Sequence, residues 1–135
     1  MASAPIVIPY AMTQLAEGVS LDATLTTAQT VFTAQNGTKC VPLFVMFRDA
    51  SATVNAATTV SVGNTASATA YLNASALLQS MLTTTGVIVQ PLYGSSVGTA
   101  KAYMPGGSNF TATFAGTLTS NGVVKVDVWG YNSFT

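Results

Sequence analysis

The sequence predicts an all-β fold: an antiparallel β-sandwich or jelly roll with one short helix and an extended N-terminal arm. Three observations predict it. Short runs alternate apolar and polar residues with a period of two. Turn signals at Asn36-Gly37, Gly63-Asn64 and Ser120-Asn121-Gly122 punctuate those runs. Valine and threonine, whose branched side chains favour pleated backbone, recur through them. No break in composition divides the 135 residues. The domain reading is therefore an arm over residues 1–12 and one sandwich domain over residues 13–135.

The elements follow in order. Pro5 and Pro9 bracket Ile6, Val7 and Ile8, and proline holds such a segment extended. This stretch reads either as a first edge strand or as an arm on a neighbouring subunit. Residues 21–34, LDATLTTAQTVFTA, are threonine-rich with partial alternation, and Asn36-Gly37 turns the chain after them. CVPLFVMFR, residues 40–48, is apolar on both faces. Val41, Leu43, Val45 and Phe47 fall on one face, and Cys40, Pro42, Phe44 and Met46 on the other. A strand of this kind is covered on both sides, by the core and by a second layer or another subunit.

TTVSV, residues 58–62, is a short strand closed by Gly63-Asn64. ASALLQSML, residues 74–82, predicts the helix, with Leu77, Leu78, Met81 and Leu82 on one stripe and Asn73 or Ser75 as its cap. GVIVQPLYG, residues 86–94, is a strand interrupted by Pro91. Loops surround a short segment at 101–103. FTATFAGTL, residues 110–118, places Phe110, Ala112 and Phe114 on one face and Thr111 and Thr113 on the other. VVKVDVWGYN, residues 123–132, directs Val124, Val126 and Val128 inward and Lys125, Asp127, Trp129 and Tyr131 outward. The turn at 120–122 predicts that these last two strands form a hairpin.

Charge supplies the functional constraint. Only eight residues are charged, summing to zero, and residues 50–100 contain none. A neutral, charge-poor exterior promotes association. It carries no basic patch for nucleic acid and no polybasic run for an anionic membrane. The absence of histidine removes Ser-His-Asp and Cys-His arrangements. One cysteine, Cys40, allows no internal disulfide, suits a reducing cytoplasm and reads as a buried structural thiol. Zinc-type ligand clusters and acidic calcium loops are missing, so the expectation is no enzyme, no metal and no cofactor. Residues 58–72, TTVSVGNTASATAYL, explain the composition physically. Removing an unpaired charge from water costs several kcal/mol, and an imperfectly paired hydroxyl about 1–3 kcal/mol. A Thr/Ser/Ala surface is thus suited to burial against other proteins.

VSVGNTASATAYL, GVIVQPLYG and FTATFAGTLTSNGVVKVDVWGYN together resemble small β-sandwich virion proteins of tailed bacteriophages, capsid decoration (cement) proteins in particular. The shared features are a strand running into a Gly-Asn-Thr turn, a short connecting segment, and a closing V-x-V-x-V-x-G strand, over roughly residues 20–132. The resemblance implies a virion protein made in the host cytoplasm. It implies homo-oligomers, trimers at threefold positions on the outside of an icosahedral shell, bridging major capsid protein subunits and stabilising their lattice. Ile6, Val7, Ile8 and Tyr10 are the candidates for an arm clamping a neighbour, and Phe44, Phe47 and Trp129 for packing between subunits. Similar modules occur in phage tails and fibres, so a tail component remains an alternative. So does a lectin-like receptor-binding head using Trp129 or Tyr131.

Overall fold

The computed structural model describes residues 12–55, 57–75, 82–92, 103–118 and 122–134. They form nine strands: β1 Met12–Asp22, β2 Gln29–Thr33, β3 Thr38–Arg48, β4 Thr59–Asn64, β5 Ser67–Ser75, β6 Val87–Pro91, β7 Met104–Pro105, β8 Asn109–Ala115 and β9 Val123–Phe134. Every pairing is antiparallel. Sheet A runs β1-β9-β3-β6, with the two-residue β7 also on β3, and sheet B runs β2-β8-β4-β5. The pairings are nested. β4 pairs β5, β3 pairs β6, β2 pairs β8 and β1 pairs β9, so the chain doubles back on itself and its two halves alternate between sheets.

The core lies between the sheets. β8 contributes Phe110, Ala112 and Phe114, β4 contributes Val60 and Val62, β9 contributes Val124, Val126 and Val128, and β3 contributes Val45 and Phe47. The alternation read from the sequence for β8 and β9 is thus the one observed. Stacking of Phe32 and Tyr71 on Phe110, at ring-centroid distances of 5.1 and 5.8 Å, fills the β2 and β5 ends of sheet B.

Several sequence expectations are corrected. Residues 110–118 and 123–132 do not form a hairpin, since β8 belongs to sheet B and β9 to sheet A. The chain leaves sheet B at Gly116, whose φ of +96° requires glycine and whose backbone approaches Ala57 too closely for a Cβ. The connector then crosses to the other layer; its Thr117 carbonyl accepts from the Thr58 hydroxyl at 3.0 Å. Residues 21–34 hold the end of β1 and the whole of β2. β1 ends at Asp22, whose carboxylate accepts from the Thr24 amide at 2.8 Å. The Gln29 side chain then ties β2 to β1, exchanging two 2.8 Å hydrogen bonds with the Asp22 backbone.

The faces assigned to residues 40–48 shift midway. Cys40 and Pro42 are buried, and so are Val45 and Phe47, because the β3–β9 register slips between Pro42 and Phe44. β1 slips at the same level, between Gln14 and Ala16. Both neighbours of β9 therefore bulge beside Trp129, and Gly130 is the next residue along. A Cβ there would lie 2.2 Å from the Val41 carbonyl oxygen and 2.8 Å from the Pro42 Cα. The predicted helix falls mostly on residues 76–81, outside the described residues. Within the described part, Ala74 and Ser75 end β5, and Leu82 is buried coil. Of the arm, residues 1–11 lie outside the described residues and Met12 opens β1.

The Gly130→Ala variant should lose about 1–3 kcal/mol of stability, the usual cost of overpacking, because the offending atoms are backbone. Chemical denaturation of the two proteins measures the difference.

Candidate interface

The outer face of sheet A is a grid set by strand register. One row holds Val87, Arg48, Lys125 and Ser20 across β6, β3, β9 and β1. The next holds Val89, Met46 and Asp127, and the third holds Pro91, Phe44, Trp129 and Gln14. Val41 pairs with Tyr131, and Tyr131 with Met12, beyond these rows. The face is therefore divided. Ionic groups gather where β1, β9 and β3 meet at Asp127, while Val87, Val89, Pro91, Met46, Phe44 and Trp129 make an apolar strip across β6, β3 and β9. Val87 and Val89 are 55% and 51% exposed, and Met12 is 48% exposed. Phe44 and Trp129 are half-buried and stack on each other at 6.3 Å with 14° between their planes.

The ionic corner is built around Asp127, which is buried. A bulge at Glu17-Gly18 inserts one extra residue in β1, since Ala16 and Val19 face Val128 and Val126. The bulge aims the Gly18 amide at Asp127, donating to Oδ1 at 2.6 Å. Arg48 donates from Nε to Oδ2 at 2.6 Å and from its Nη2 to Oδ1 at 3.2 Å. Its other terminal nitrogen donates to Asp49 at 2.6 Å. One carboxylate thus links β1, β3 and β9. The Arg48 hydrogen bonds hold the Asp127 carboxyl below its ordinary value of 3.8, against the opposing effect of burial and with help from the Gly18 amide. Arg48 is correspondingly raised, chiefly by its hydrogen bonds to Asp127.

Of the residues singled out from the sequence, Phe44 and Trp129 come together on this face. Phe47 does not join them. It is fully buried beneath β3, its exposure 0%, and has no surface left for a neighbour. Ile6, Val7, Ile8 and Tyr10 lie outside the described residues. Tyr131 lies on the same outer face, whereas Tyr103 sits under Lys39, whose ammonium is 5.0 Å from the ring centre. Sequence reasoning missed Val87 and Val89, although the alternation in VIVQP places both on one face. It also missed the role of Arg48, which becomes visible only once β3 and β9 are known to pair.

At the open end of the sandwich a cavity of about 230 Å³ is lined by Gln14, Phe32, Gln35, Cys40 and Asn132 among others. Its lining carries no charged side chain, and Cys40 is its one titratable group. Burial pushes the Cys40 thiol up to about 11. Among the described residues no three His, Cys, Asp or Glu side chains gather as a metal site.

The described residues form an all-β, two-sheet sandwich with a divided outer face on sheet A. No protein-family model matches the chain, and no curated protein matches its sequence. In structure it is similar to a chain of the "Cyanophage Pam1 capsid asymmetric unit", with a TM-score of 0.62 and 17% sequence identity. The match covers 100% of this chain and 93% of that chain. At this identity the likeness is one of fold.

Two measurements follow. Asp127→Asn should cost roughly 3 kcal/mol, the typical penalty for breaking a buried pair. Because the folded carboxyl titrates below its unfolded value, its stabilisation is full above about pH 4 and is lost as the pH falls through the lower folded value. Acid unfolding of the wild type should therefore steepen in that window, and Asp127→Asn should lack this component. Separately, Cys40 should resist an aromatic disulfide reagent at pH 8 in the folded protein and react within minutes in denaturant, as absorbance would record.

Proposed function

We propose that this chain is a structural protein of a phage virion, not an enzyme. It coats the outside of an icosahedral shell as a homo-oligomer, a trimer at threefold positions, and stabilises the lattice of the major capsid protein. The observation carrying this reading is a fold likeness that spans the whole chain and nearly the whole of one chain of a capsid assembly. The nested strand pairing supports assigning the sandwich to the jelly-roll type, two sheets wound from one doubled-back chain. The charge-poor composition and the apolar part of the sheet A face support association with protein rather than exposure to water.

The mechanism is mass action. A protein that binds only the assembled, expanded shell stabilises that state. Threefold symmetry turns three weak contacts into one firm attachment. Within this reading the stacked Phe44–Trp129 pair and its valine neighbours pack one copy on another, and Ile6, Val7, Ile8 and Tyr10 form an arm that clamps a neighbour.

Mass measurement of the purified protein should give a trimer, and co-sedimentation with expanded empty shells of the same virus should bring it down with them. Trp129→Ala should weaken self-association by roughly tenfold or more, as loss of a central aromatic anchor does. Deleting residues 1–11 should leave the melting temperature unchanged and lower shell occupancy. A monomer that stays in the supernatant would refute the proposal.

A further inference from the structure

Besides the two-residue β7, the described edge strands are β1 and β6 in sheet A and β2 and β5 in sheet B. Edge strands present unpaired backbone groups, and charges, bulges or coverings ordinarily guard them. β1 carries Glu17, Asp22 and a bulge. β2 and β5 pair through register shifts. β6 carries neither guard. Its sequence VIVQP holds no charge, and it runs in unbroken register on β3 from Val87 opposite Arg48 to Pro91 opposite Phe44. Among the described residues β3 is its one strand partner. Val87 and Val89 are also more exposed than any other large apolar side chain described. An uncharged, apolar, regular edge is a template for another strand.

The chain holds a segment of matching chemistry outside the described residues. Residues 1–11 contain no charged side chain, and Ile6, Val7 and Ile8 stand together between Pro5 and Pro9. All three are apolar, so as a strand beside β6 this segment would be apolar on both faces. One face would extend the Val87–Val89 strip, and the other would cover the half-buried Ile88. The flanking prolines, which lack an N–H, keep such a pairing short.

Reach decides which copy supplies the strand. Residues 1–11 join the sandwich at Met12, on β1, at the edge of sheet A opposite β6. A strand outside β6 lies four strand spacings from β1, about 19 Å across the sheet. Met12 is level with Val41 of β3 through Tyr131, whereas Val89 is level with Met46, roughly 15 Å further along. Ile8 and Ile6 lie four and six residues before Met12, a span of at most about 14 and 22 Å. The segment therefore falls short of the β6 edge of its own chain.

We propose that Ile6–Ile8 of one copy add a strand to the free edge of β6 in the next copy, extending its sheet A beside Val87 and Val89. This rests on the homo-oligomer reading above and adds the contact that builds the oligomer. The giving end, at β1, and the receiving edge, at β6, are different surfaces, so the contact is heterologous. Heterologous contacts close into a ring or run on as a filament, and a trimer is a closed ring. Pairing of two β6 edges would instead be isologous, would give a dimer and would need no arm.

The test is sedimentation equilibrium on the full chain, a deletion of residues 1–11, Val89→Asp, the two combined, and the control Leu25→Asp. Val89 and Leu25 are both exposed, so neither aspartate enters the core. The wild type should be a trimer. The deletion and Val89→Asp should each weaken association at least roughly tenfold, and the combination should be no weaker than either alone, because both remove one contact. Independent contacts would multiply instead, to about a hundredfold. Leu25→Asp should associate as wild type. At dilutions where the wild type itself dissociates, all of them should melt together, since the added strand lies outside the domain. If the wild type is a trimer and the deletion leaves it one, or the two effects multiply, the strand exchange is overturned while the oligomer reading stands. A dimer weakened by Val89→Asp and indifferent to the deletion would put a second β6 at this edge and overturn the exchange and the trimer together. A wild-type monomer would overturn both as well.

Discussion

The arrangement of sheet A depends on one carboxylate. Asp127 is buried in a chain with very few charges, and an isolated buried carboxylate would be prohibitive. It is tolerated because Arg48 and the Gly18 amide approach from the strands on either side. The result fixes more than an ion pair. Gly18 can donate only if β1 carries its bulge, and Arg48 can reach only if β3 and β9 keep their register. A one-residue slip would also exchange the two faces of the sheet, burying Lys125 and exposing Val126. The carboxylate and the valines of β9 therefore enforce the same register, one from outside the sheet and one from within.

That single anchored register explains how sheet B manages without charges. Edge strands and flat sheet faces invite unwanted pairing, and proteins usually guard them with charged side chains or bulges. Here the charges carried by the described strands are gathered on β1, β3 and β9. Sheet B instead uses bulges, with register shifts in both the β2–β8 and β4–β5 pairs, and short polar turns. At the tip of the β4–β5 hairpin Asn64 accepts from the amides of Ala66 and Ser67 at 2.9 and 3.1 Å. The stretch that looks featureless in the sequence, residues 58–72, is this hairpin.

What was legible in the sequence was whatever depends on local alternation. The inward valines of β9 and phenylalanines of β8 follow from a period of two, and the burial of Cys40 from the apolar strand that carries it. What was not legible depends on extra residues and on partners distant in sequence. A bulge adds one residue without any fixed signature, so strict alternation relates the faces from Phe44 to Phe47 correctly and joins them wrongly to Cys40 and Pro42. β1 has no clean period of two because the Glu17-Gly18 bulge breaks its alternation. The Ser120-Asn121-Gly122 signal is a sound turn cue, yet a turn cue carries no information about whether the next strand stays in the same sheet. The same limit applied to the interface. Phe44 and Trp129 are adjacent because β3 lies beside β9, and Phe47, equally apolar in the sequence, sits one face away in the core.

The apolar strip and the Thr/Ser/Ala surface also differ in the kind of contact they suit. An apolar patch gains from being covered by almost any apolar surface, since the hydrophobic effect has no direction. Contacts through Val87, Val89, Phe44 and Trp129 can therefore be strong but are selective mainly through shape. A Thr/Ser/Ala surface behaves in the opposite way. Each Thr or Ser gains little on burial unless a partner atom arrives within hydrogen-bond distance, and a misplaced partner leaves the hydroxyl worse off than in water. Such a face is weak per unit area and intolerant of misalignment.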